Sequence, residues 1–580
     1  TPNFTNGLDK FIIRDGDNYT SSGALTIDAL TLGQGVGGGA LTLGSTLDLD
    51  DNLLLDVNST LTAGANQINI AGNWTENTGA SLSSSGTVVF DAPLVQTISA
   101  AATFNNLTFS GGGVVSTGGD VRVNGNWLIT NNTNFSTGNL HTLFGDLTVD
   151  DGSVYNATAG RLSLRGSSAQ ALDIGTNATF DEVFFQPGAA VTFTIIGDYV
   201  ANDRTLVYPD ATLNGAGNHT IQEFTQNGTV NFTGSITLTG SRTYDNDDNV
   251  FGLGTADIII DGNVYFSNNA APDAISIGGN LTVQSGLLVI DEGSVTGTGG
   301  ATFQINDGRT VYLRGADNFP TGFGTVDFQG VTSRANYDLR ANQTIRGGIS
   351  YARLALGAVA GTDTGSYIKT ADGSLDINGY LDLNNGVTLD LTTFDHTLGG
   401  YLYNVTNSTI TQSSGSFTLD GVGNATQTIQ ANGTGDYFFK TFSIINTAPT
   451  AVRTINIDED IYAEDFVVTN TGGSATNYLI VDIDDYEVLV GGFPPPFTIS
   501  IGANVHLRTS GSSEFNSMMA NFVGTFDPLS TIRFDGGVQS IPGVTYGNVE
   551  IRGNGNKNAT AGFNVVGNFS RIAETPVFVD

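Results

Sequence analysis

Histidines and paired carboxylates are the side chains of this sequence best suited to acid–base catalysis. The 4 histidines among the 580 residues are His141, His219, His396 and His506, and each stands alone in a strand-like segment. A glycosidase needs two carboxylates about 5 to 9.5 Å apart, but a chain with 56 acidic residues forms such pairs by chance. The sequence contains no phosphate loop, dinucleotide fingerprint or Gly-x-Ser-x-Gly motif. We expect no catalytic residues and no enzyme, with a polysaccharide lyase or hydrolase as the least favoured alternative.

Closely spaced acids are the candidates for a metal site. Calcium takes about six to eight oxygen ligands from a preformed loop, and none of the acidic runs has the spacing of a known calcium loop. Alternate acids on a strand instead protect a sheet edge from pairing, which is the favoured interpretation. The best calcium candidate is the loop with Asp245, Asp247 and Asp248, and no other cofactor is expected. The remaining runs are Asp48, Asp50 and Asp51; Asp458, Glu459 and Asp460; and Asp482, Asp484 and Asp485.

Composition limits the partners. The 56 acidic and 21 basic residues give a net charge of −35, and a surface this acidic repels nucleic acid and anionic membranes. No apolar run reaches the roughly 18 residues of a membrane helix. We therefore expect neither nucleic-acid binding nor membrane insertion.

The absence of cysteine is compatible with a long extracellular chain that has an extended core. Residues 1–4 lack the charged and apolar regions of a signal peptide, so we expect an extracellular or cell-surface protein in its mature form, without its signal peptide. Asn-x-Ser/Thr sequons allow glycosylation outside the cytoplasm, although turn Asn and strand Thr also generate sequons unaided. The glycosylation candidates include Asn3, Asn18, Asn58, Asn73 and Asn106.

Apolar residues alternate with Thr, Asp and Ser along most of the chain, as residues 40–49 illustrate. A period of two indicates strands with one buried face. Residues 513–522, which hold both methionines, are the one segment that predicts a short helix or an irregular excursion.

A first repeated phrase consists of Gly, then Asn or Asp, then an aromatic or aliphatic residue. We interpret it as a turn in which Gly adopts a positive φ and the third residue points inward. The copies begin at Gly72, Gly125, Gly145, Gly197, Gly262, Gly279 and Gly567, and both tryptophans, Trp74 and Trp127, occupy the third position.

A second phrase places three short strands in a fixed order, with a glutamine at the start of the middle strand. Its copies contain Gln96, Gln343, Gln427 and Gln539, with a degenerate copy around Gln170. We expect the strand residues Phe90, Phe328, Leu419 and Phe534 to be buried at equivalent positions, together with Trp74 and Trp127.

Recurrence along the whole chain predicts stacked units. We expect an all-β fold, an elongated β-solenoid or parallel β-helix, and coils of about 20 residues would give roughly 29 of them. Tandem β-sandwich domains are the alternative. The expected division is a solenoid over 1–490, a Pro/Gly break at 491–497 and a further β-repeat segment over 498–580.

The Gly-Asn-Trp turn and the Gly-Thr-Val-x-Phe … Gln-Thr-Ile phrase resemble the repeats of secreted and cell-surface proteins of Bacteroidota, which look like filamentous adhesins. The resemblance implies export, in many members by type IX secretion, and brings no catalytic residues.

The repeat runs almost to both ends of the sequence without an obvious cap. We expect a structural subunit that assembles head-to-tail with other copies of itself into a surface filament. A monomeric adhesin that binds glycans or other cells is the alternative.

Overall fold

Parallel strands stacked in successive coils build the whole fold. In the computed structural model they form a β-solenoid of about 24 turns, which confirms the predicted fold class. The tandem β-sandwich alternative is wrong, because sandwich sheets are antiparallel whereas the strands described here pair in parallel. The structure describes residues 10–176, 178–240, 243–244, 251–266, 274–291, 293–357, 366–384, 386–404, 407–421, 426–431, 436–447, 452–471, 473–486, 488–489 and 497–572.

The strands are short, and most have three to five residues. Those beginning before residue 130 are Lys10–Ile13, Asn18–Thr20, Leu25–Ile27, Ala29–Leu32, Ala40–Thr42, Leu47–Leu49, Leu53–Leu55, Thr60–Gly64, Ile68–Ile70, Trp74–Glu76, Ser81–Ser84, Thr87–Phe90, Gln96–Ile98, Ala102–Phe104, Asn106–Phe109, Val114–Thr117, Val121–Val123 and Trp127–Ile129. Those between residues 130 and 300 are Asn134–Thr137, Leu140–Leu143, Leu147–Val149, Val154–Ala157, Arg161–Leu164, Gln170–Asp173, Ala178–Phe185, Val191–Ile196, Tyr199–Val207, Ala211–Gly215, Asn218–Gln226, Thr229–Phe232, Ser235–Leu238, Thr243–Tyr244, Phe251–Gly252, Asp257–Phe266, Ala274–Ser276, Leu281–Ile290 and Ser294–Thr296.

Strands of eight to ten residues occur from Ala178–Phe185 to Ile461–Asn470. The remaining strands begin after residue 300. These strands are Thr302–Ile305, Thr310–Leu313, Thr325–Phe328, Arg334–Tyr337, Gln343–Ile345, Ile349–Leu356, Tyr367–Ala371, Leu375–Leu383, Val387–Asp390, His396–Leu398, Leu402–Asn404, Thr409–Thr411, Ser416–Leu419, Thr426–Ala431, Tyr437–Asn446, Arg453–Asp458, Ile461–Asn470, Leu479–Asp482, Val488–Leu489, Phe497–Ile501, Val505–Thr509, Phe522–Phe526, Thr531–Phe534, Gln539–Ile541, Thr545–Tyr546, Asn548–Ile551, Lys557–Ala559, Asn564–Val565 and Phe569–Arg571.

Two compact units make up the chain. The first comprises Thr1–Gly286, Gly293–Thr302 and Thr321–Gly324, and the second comprises Leu287–Glu292, Phe303–Pro320 and Thr325–Asp580. The predicted break at 491–497 falls almost wholly outside the described residues, and the strand Phe497–Ile501 begins at its end.

Early coils contribute three strands each, and each strand pairs with its equivalent in the next coil. In later coils two of the strands merge, as where Ala178–Phe185 pairs with both Val154–Ala157 and Arg161–Leu164. In the first unit, Val121–Val123 pairs with Leu140–Leu143, Trp127–Ile129 with Leu147–Val149, and Asn134–Thr137 with Val154–Ala157. The number of turns is below the roughly 29 expected from coils of about 20 residues, because many coils are longer. One turn from Asp465 to its register partner Thr498, for example, takes 33 residues (498 − 465).

Side chains alternate between inward and outward along each strand. Apolar residues at equivalent positions of successive coils therefore form a continuous column inside the coils, which we call the apolar file. Phe90, Leu419, Phe534, Trp74 and Trp127 are fully buried, as predicted. Inward aromatic rings touch from coil to coil, as where Phe109 packs against Trp127 with ring centroids 5.8 Å apart.

The predicted burial of Phe328 is wrong. The strand Thr325–Phe328 has no fully buried residue, so it lies at the outer margin of its coil. The half-buried Phe328 ring leans against Tyr351, with ring centroids 5.2 Å apart.

One helix occurs in the described residues, Glu514–Asn521, inside the predicted segment 513–522. Its Phe515, Met518 and Met519 are buried, and Phe515 packs edge-on against Phe534. Within the described ranges, no helix is long and apolar enough to cross a membrane.

The glycine of the Gly-Asn turn is required for a reason other than the predicted one. Of the seven glycines, only Gly197 has a φ in the left-handed region, at +101°. The others lie against the coil before them: a Cβ on Gly125 would be 2.3 Å from Asn106 Oδ1, and one on Gly567 would be 2.3 Å from Asn548 Oδ1. At these glycines the chain turns a corner between strands and lies close to the same corner of the preceding coil. This close approach leaves no room for a side chain.

Gly125→Ala should lower the stability of the fold by about 1–3 kcal/mol, because the added methyl group overpacks the corner. Gly23→Ala is the matched control, since a Cβ there has no atom within 4 Å. Urea unfolding followed by circular dichroism measures both variants. Equal midpoints for the two variants would show that coil contact is not the constraint.

Candidate functional site

The four histidines lie apart from one another, and three of them are buried in the scaffold. His141 accepts a hydrogen bond from the Val121 backbone N–H at 3.1 Å and lies 2.7 Å from Thr137 Oγ1. His396 Nδ1 accepts from the Leu375 N–H at 3.0 Å. Both side chains therefore join neighbouring strands of the stack.

His219 differs from these two. It is fully buried, and neither of its ring nitrogens has a hydrogen-bond partner within the described part of the chain. Its ring packs on Phe232, with centroids 4.4 Å apart. His506 is half-buried and stacks on Tyr478 at 4.1 Å. The histidines bring no acid–base pair together.

The glutamine of the second phrase connects two coils. Gln96 Nε2 donates to the carbonyl oxygens of Ile70 at 2.7 Å and Gly72 at 3.0 Å, both in the preceding coil. We call this arrangement the glutamine bracket. It recurs with Gln343 on Leu313 and Gly315, Gln427 on Leu398 and Gly400, and Gln539 on Thr509 and Gly511. The glutamine of the phrase thus makes the same structural hydrogen bonds in each copy. The sequence pattern alone did not reveal this role.

A lysine of the following coil lies over the glutamine bracket in two copies. Lys369 Nζ donates to Gln343 Oε1 and to the Leu339 carbonyl, each at 2.7 Å. Lys557 likewise donates to Gln539 Oε1. Burial lowers the pKa of Lys369 to about 8. The oxygen atoms of the scaffold itself bind these ammonium groups.

The Asn or Asp of the first phrase forms a second repeated bond. Asn126 Oδ1 accepts the backbone N–H of Asp146, the equivalent residue one coil later, at 3.0 Å. We call this the asparagine ladder. Its other acceptors are Asn52, Asn73, Asn106, Asp146, Asp198, Asp257, Asn280, Asn342 and Asn548.

The glycosylation candidates differ in their surroundings. Asn18, Asn58 and Asn73 are exposed, Asn106 is half-buried, and Asn3 lies outside the described residues. Asn58 Nδ2 donates to the Val36 carbonyl at 2.9 Å. Asn73 and Asn106 use their Oδ1 atoms in the asparagine ladder. Glycosylation of these residues stays a prediction.

The acidic runs do not form a metal site in the described residues, where no group of three or more His, Cys, Asp or Glu side chains has suitable geometry. The calcium candidate Asp245, Asp247 and Asp248 lies outside those residues. Asp482 is ion-paired with Arg508 at 3.0 Å. Burial and then the neighbouring Asp484 raise the pKa of Asp458.

Charged residues form outward files, meaning columns of register-equivalent side chains on successive coils. In the first unit, Arg161, Glu182, Arg204 and Glu223 alternate in sign, and Arg204 Nε lies 3.2 Å from Glu223 Oε1. In the second unit, one file runs through Asp482, Arg508, Arg533 and Glu550.

A further stretch of outward residues in the second unit combines arginine with tyrosine. Arg334, Arg353 and Tyr380 are register partners on three coils, and Tyr401 follows on the next. We call these four residues the arginine–tyrosine file. No repeated spacing in the sequence reveals this file, because the steps between its members are 19, 27 and 21 residues (353 − 334, 380 − 353, 401 − 380).

Comparison with known proteins gives no further assignment: no family model matches the chain, and no curated protein or solved structure is significantly similar to it.

Gln427→Leu should destabilise the second unit, because it leaves the buried Gly400 carbonyl without a donor, at about 1–3 kcal/mol. The Leu398 carbonyl loses one of two donors and keeps the backbone N–H of Asp420. The control is Gln430→Leu in the same strand, where the side chain is exposed. Urea unfolding measures both variants. A control variant that loses as much stability as Gln427→Leu would contradict the bracket.

Acid should destabilise the wild type relative to a His219→Phe variant. Burial lowers the pKa of His219 from 6.5 to about 4, so the unfolded chain binds the proton more readily. The stability contributed by neutral His219 is complete above pH 6.5 and is lost as the pH falls toward 4. The difference between variant and wild type should change by at most about 1.4 kcal/mol per pH unit in that window. A pH-independent difference in urea midpoints would contradict it.

Proposed function

We propose that this chain is a non-enzymatic, extracellular structural protein whose copies assemble head-to-tail into a filament. The observation that carries the proposal is the emergence of the apolar interior at the last described coil. The resemblance of the repeated phrases to those of secreted and cell-surface repeat proteins also supports this role.

The last described coil consists of Lys557–Ala559, Asn564–Val565 and Phe569–Arg571, each paired with a strand of the preceding coil. Phe569 is the register partner of Val549, yet Phe569 is 54% exposed and Val549 is 1% exposed. Val566 and Ile572 are exposed nearby. The file that is buried at Leu507, Ile532 and Val549 therefore reaches the surface here.

The first described coil of the other unit has the same property. Tyr19 is 49% exposed, whereas its register partner Leu41 is 1% exposed. The Phe11 ring packs edge-on against Tyr19, with centroids 5.5 Å apart. Apolar surface beside a strand edge that has no partner among the described residues favours the addition of further strands.

A second copy of the chain fits this surface. Continuation of the parallel stack requires a coil that runs in the same sense and offers its opposite edge. One copy supplies the first edge and another supplies the last. Contact of this kind is heterologous, and it produces an open filament when the rotation between copies does not close.

The recurring polar contacts between coils support a structural rather than a catalytic role. The glutamines and asparagines bind coil to coil, and Lys369 and Lys557 bind carbonyl oxygens of the same chain. The residues that define the repeat therefore act in the stack itself.

Phe569→Asp should abolish assembly, because it places a charge on the exposed apolar edge. The matched control is Leu94→Asp. Leu94 is also an exposed apolar side chain, at 71%, but it lies far along the sequence from both the first and the last described coil. Light scattering against concentration and negative-stain electron microscopy measure assembly. We expect filaments from the wild type and the control and none from Phe569→Asp.

Two results would contradict the proposal. One is a wild-type protein that stays monomeric at every concentration. The other is a Phe569→Asp protein that assembles as the wild type does. A single-carboxylate substitution that abolishes a measured turnover of a polysaccharide would overturn the non-enzymatic part alone.

A further inference from the structure

The arginine–tyrosine file places two positive charges directly opposite each other. Arg334 and Arg353 are register partners on adjacent coils, and like charges in that position destabilise a sheet. One carboxylate lies between them: Asp382 Oδ2 is 3.1 Å from Arg353 Nη2 and 3.5 Å from Arg334 Nη2. Among the described residues, the two guanidinium groups therefore share a single counter-charge.

The other opposed arginine pair is neutralised more completely. Arg508 and Arg533 are also register partners, but Arg508 pairs with both Asp482 and Asp535, and Arg533 pairs with Asp535 and Glu550. Three carboxylates therefore neutralise those two arginines together with Arg552, which also pairs with Glu550. The excess of positive charge at Arg334 and Arg353 distinguishes their file from this one, and it occurs on a chain of net charge −35.

The guanidinium groups of the same pair keep donors for a ligand. A guanidinium carries five N–H donors in a planar fork that matches carboxylate and sulfate oxygens, and the hydrogen bond to Asp382 uses one donor of Arg353. The Nε–H groups of Arg334 and Arg353 are buried and have no acceptor within the described residues. An anion at the surface therefore reaches only the terminal Nη groups of these side chains, which are 23% and 29% exposed.

Tyrosine rings hold this surface in place. The Arg353 guanidinium lies 4.7 Å from the Tyr380 ring centroid, and the rings of Tyr380 and Tyr401 stack 5.2 Å apart at an interplanar angle of 13°. All four side chains of the file are half-buried. Stacking limits their motion, so little conformational entropy is lost when a ligand binds.

We propose that the arginine–tyrosine file binds a linear acidic polysaccharide through its carboxylate or sulfate groups. A polymer that lies along the stack meets an equivalent position on each coil: the arginines bind the anionic groups, and the tyrosine edges contact the sugar. Double-stranded DNA carries one negative charge per roughly 1.7 Å, so the acidic surface around the file opposes it more strongly than a chain with at most one charge per sugar. This binding goes beyond the proposed filament and does not depend on it.

The test uses the full chain and defined oligogalacturonate, with its neutral methyl ester as the matched probe. The variant is Arg334→Gln/Arg353→Gln. Arg204→Gln is the control, because Arg204 is likewise ion-paired, to Glu223, and lies over the Phe184 ring. Isothermal titration calorimetry at two salt concentrations measures affinity, and circular dichroism checks folding.

The wild type and Arg204→Gln should bind the acidic oligomer equally, and the double variant should bind at least tenfold more weakly. Higher salt should weaken wild-type binding, and the methyl ester should not bind. The proposal is overturned by a double variant with wild-type affinity, by equal binding of the methyl ester, by tighter binding of DNA of the same length, or by no binding of either oligogalacturonate or a sulfated oligosaccharide.

Discussion

The structure depends on one constraint: each residue lies directly over its equivalent in the next coil, at the roughly 4.8 Å spacing of hydrogen-bonded strands. Most inward positions are then apolar, and corner positions must be small enough for backbones to touch. Polar atoms must find partners above or below. The glutamine bracket and the asparagine ladder meet the last requirement at the corners, where the strand pairing between coils is interrupted.

This constraint explains which features the sequence could predict. Alternating residues and repeated phrases indicated stacked parallel strands and the burial of Trp74 and Trp127, because inward positions repeat in residue type. The predicted role of Gly125, a positive φ in a turn, was wrong. Tight turns and close backbone contacts both favour glycine, so the residue type alone does not distinguish them. Phe328 matches the phrase but occupies a marginal strand. The partners of Gln96 lie 24 and 26 residues earlier, beyond the reach of a local pattern.

Outward residues could not be predicted for a different reason. Nothing requires them to repeat, and the coil length varies, so register partners on the surface have no fixed spacing in sequence. Arg353 and Tyr380 meet only because one coil takes 27 residues (380 − 353). The repeated interior therefore specifies the scaffold, while the irregular exterior leaves individual coils free to carry charge and aromatic rings.

Assembly by continued stacking is the central functional claim, and the distribution of lysine allows a direct test. The chain has only four lysines, of which Lys10 lies in the first described strand, Lys557 in the last described coil, and Lys369 is buried. A mixture of ¹⁴N- and ¹⁵N-labelled protein, treated with an amine-reactive cross-linker, is analysed by mass spectrometry. Head-to-tail stacking predicts mixed-isotope cross-links between Lys10 and Lys557. Mixed-isotope cross-links dominated by Lys440 with Lys440, or by Lys10 with Lys10, would contradict it.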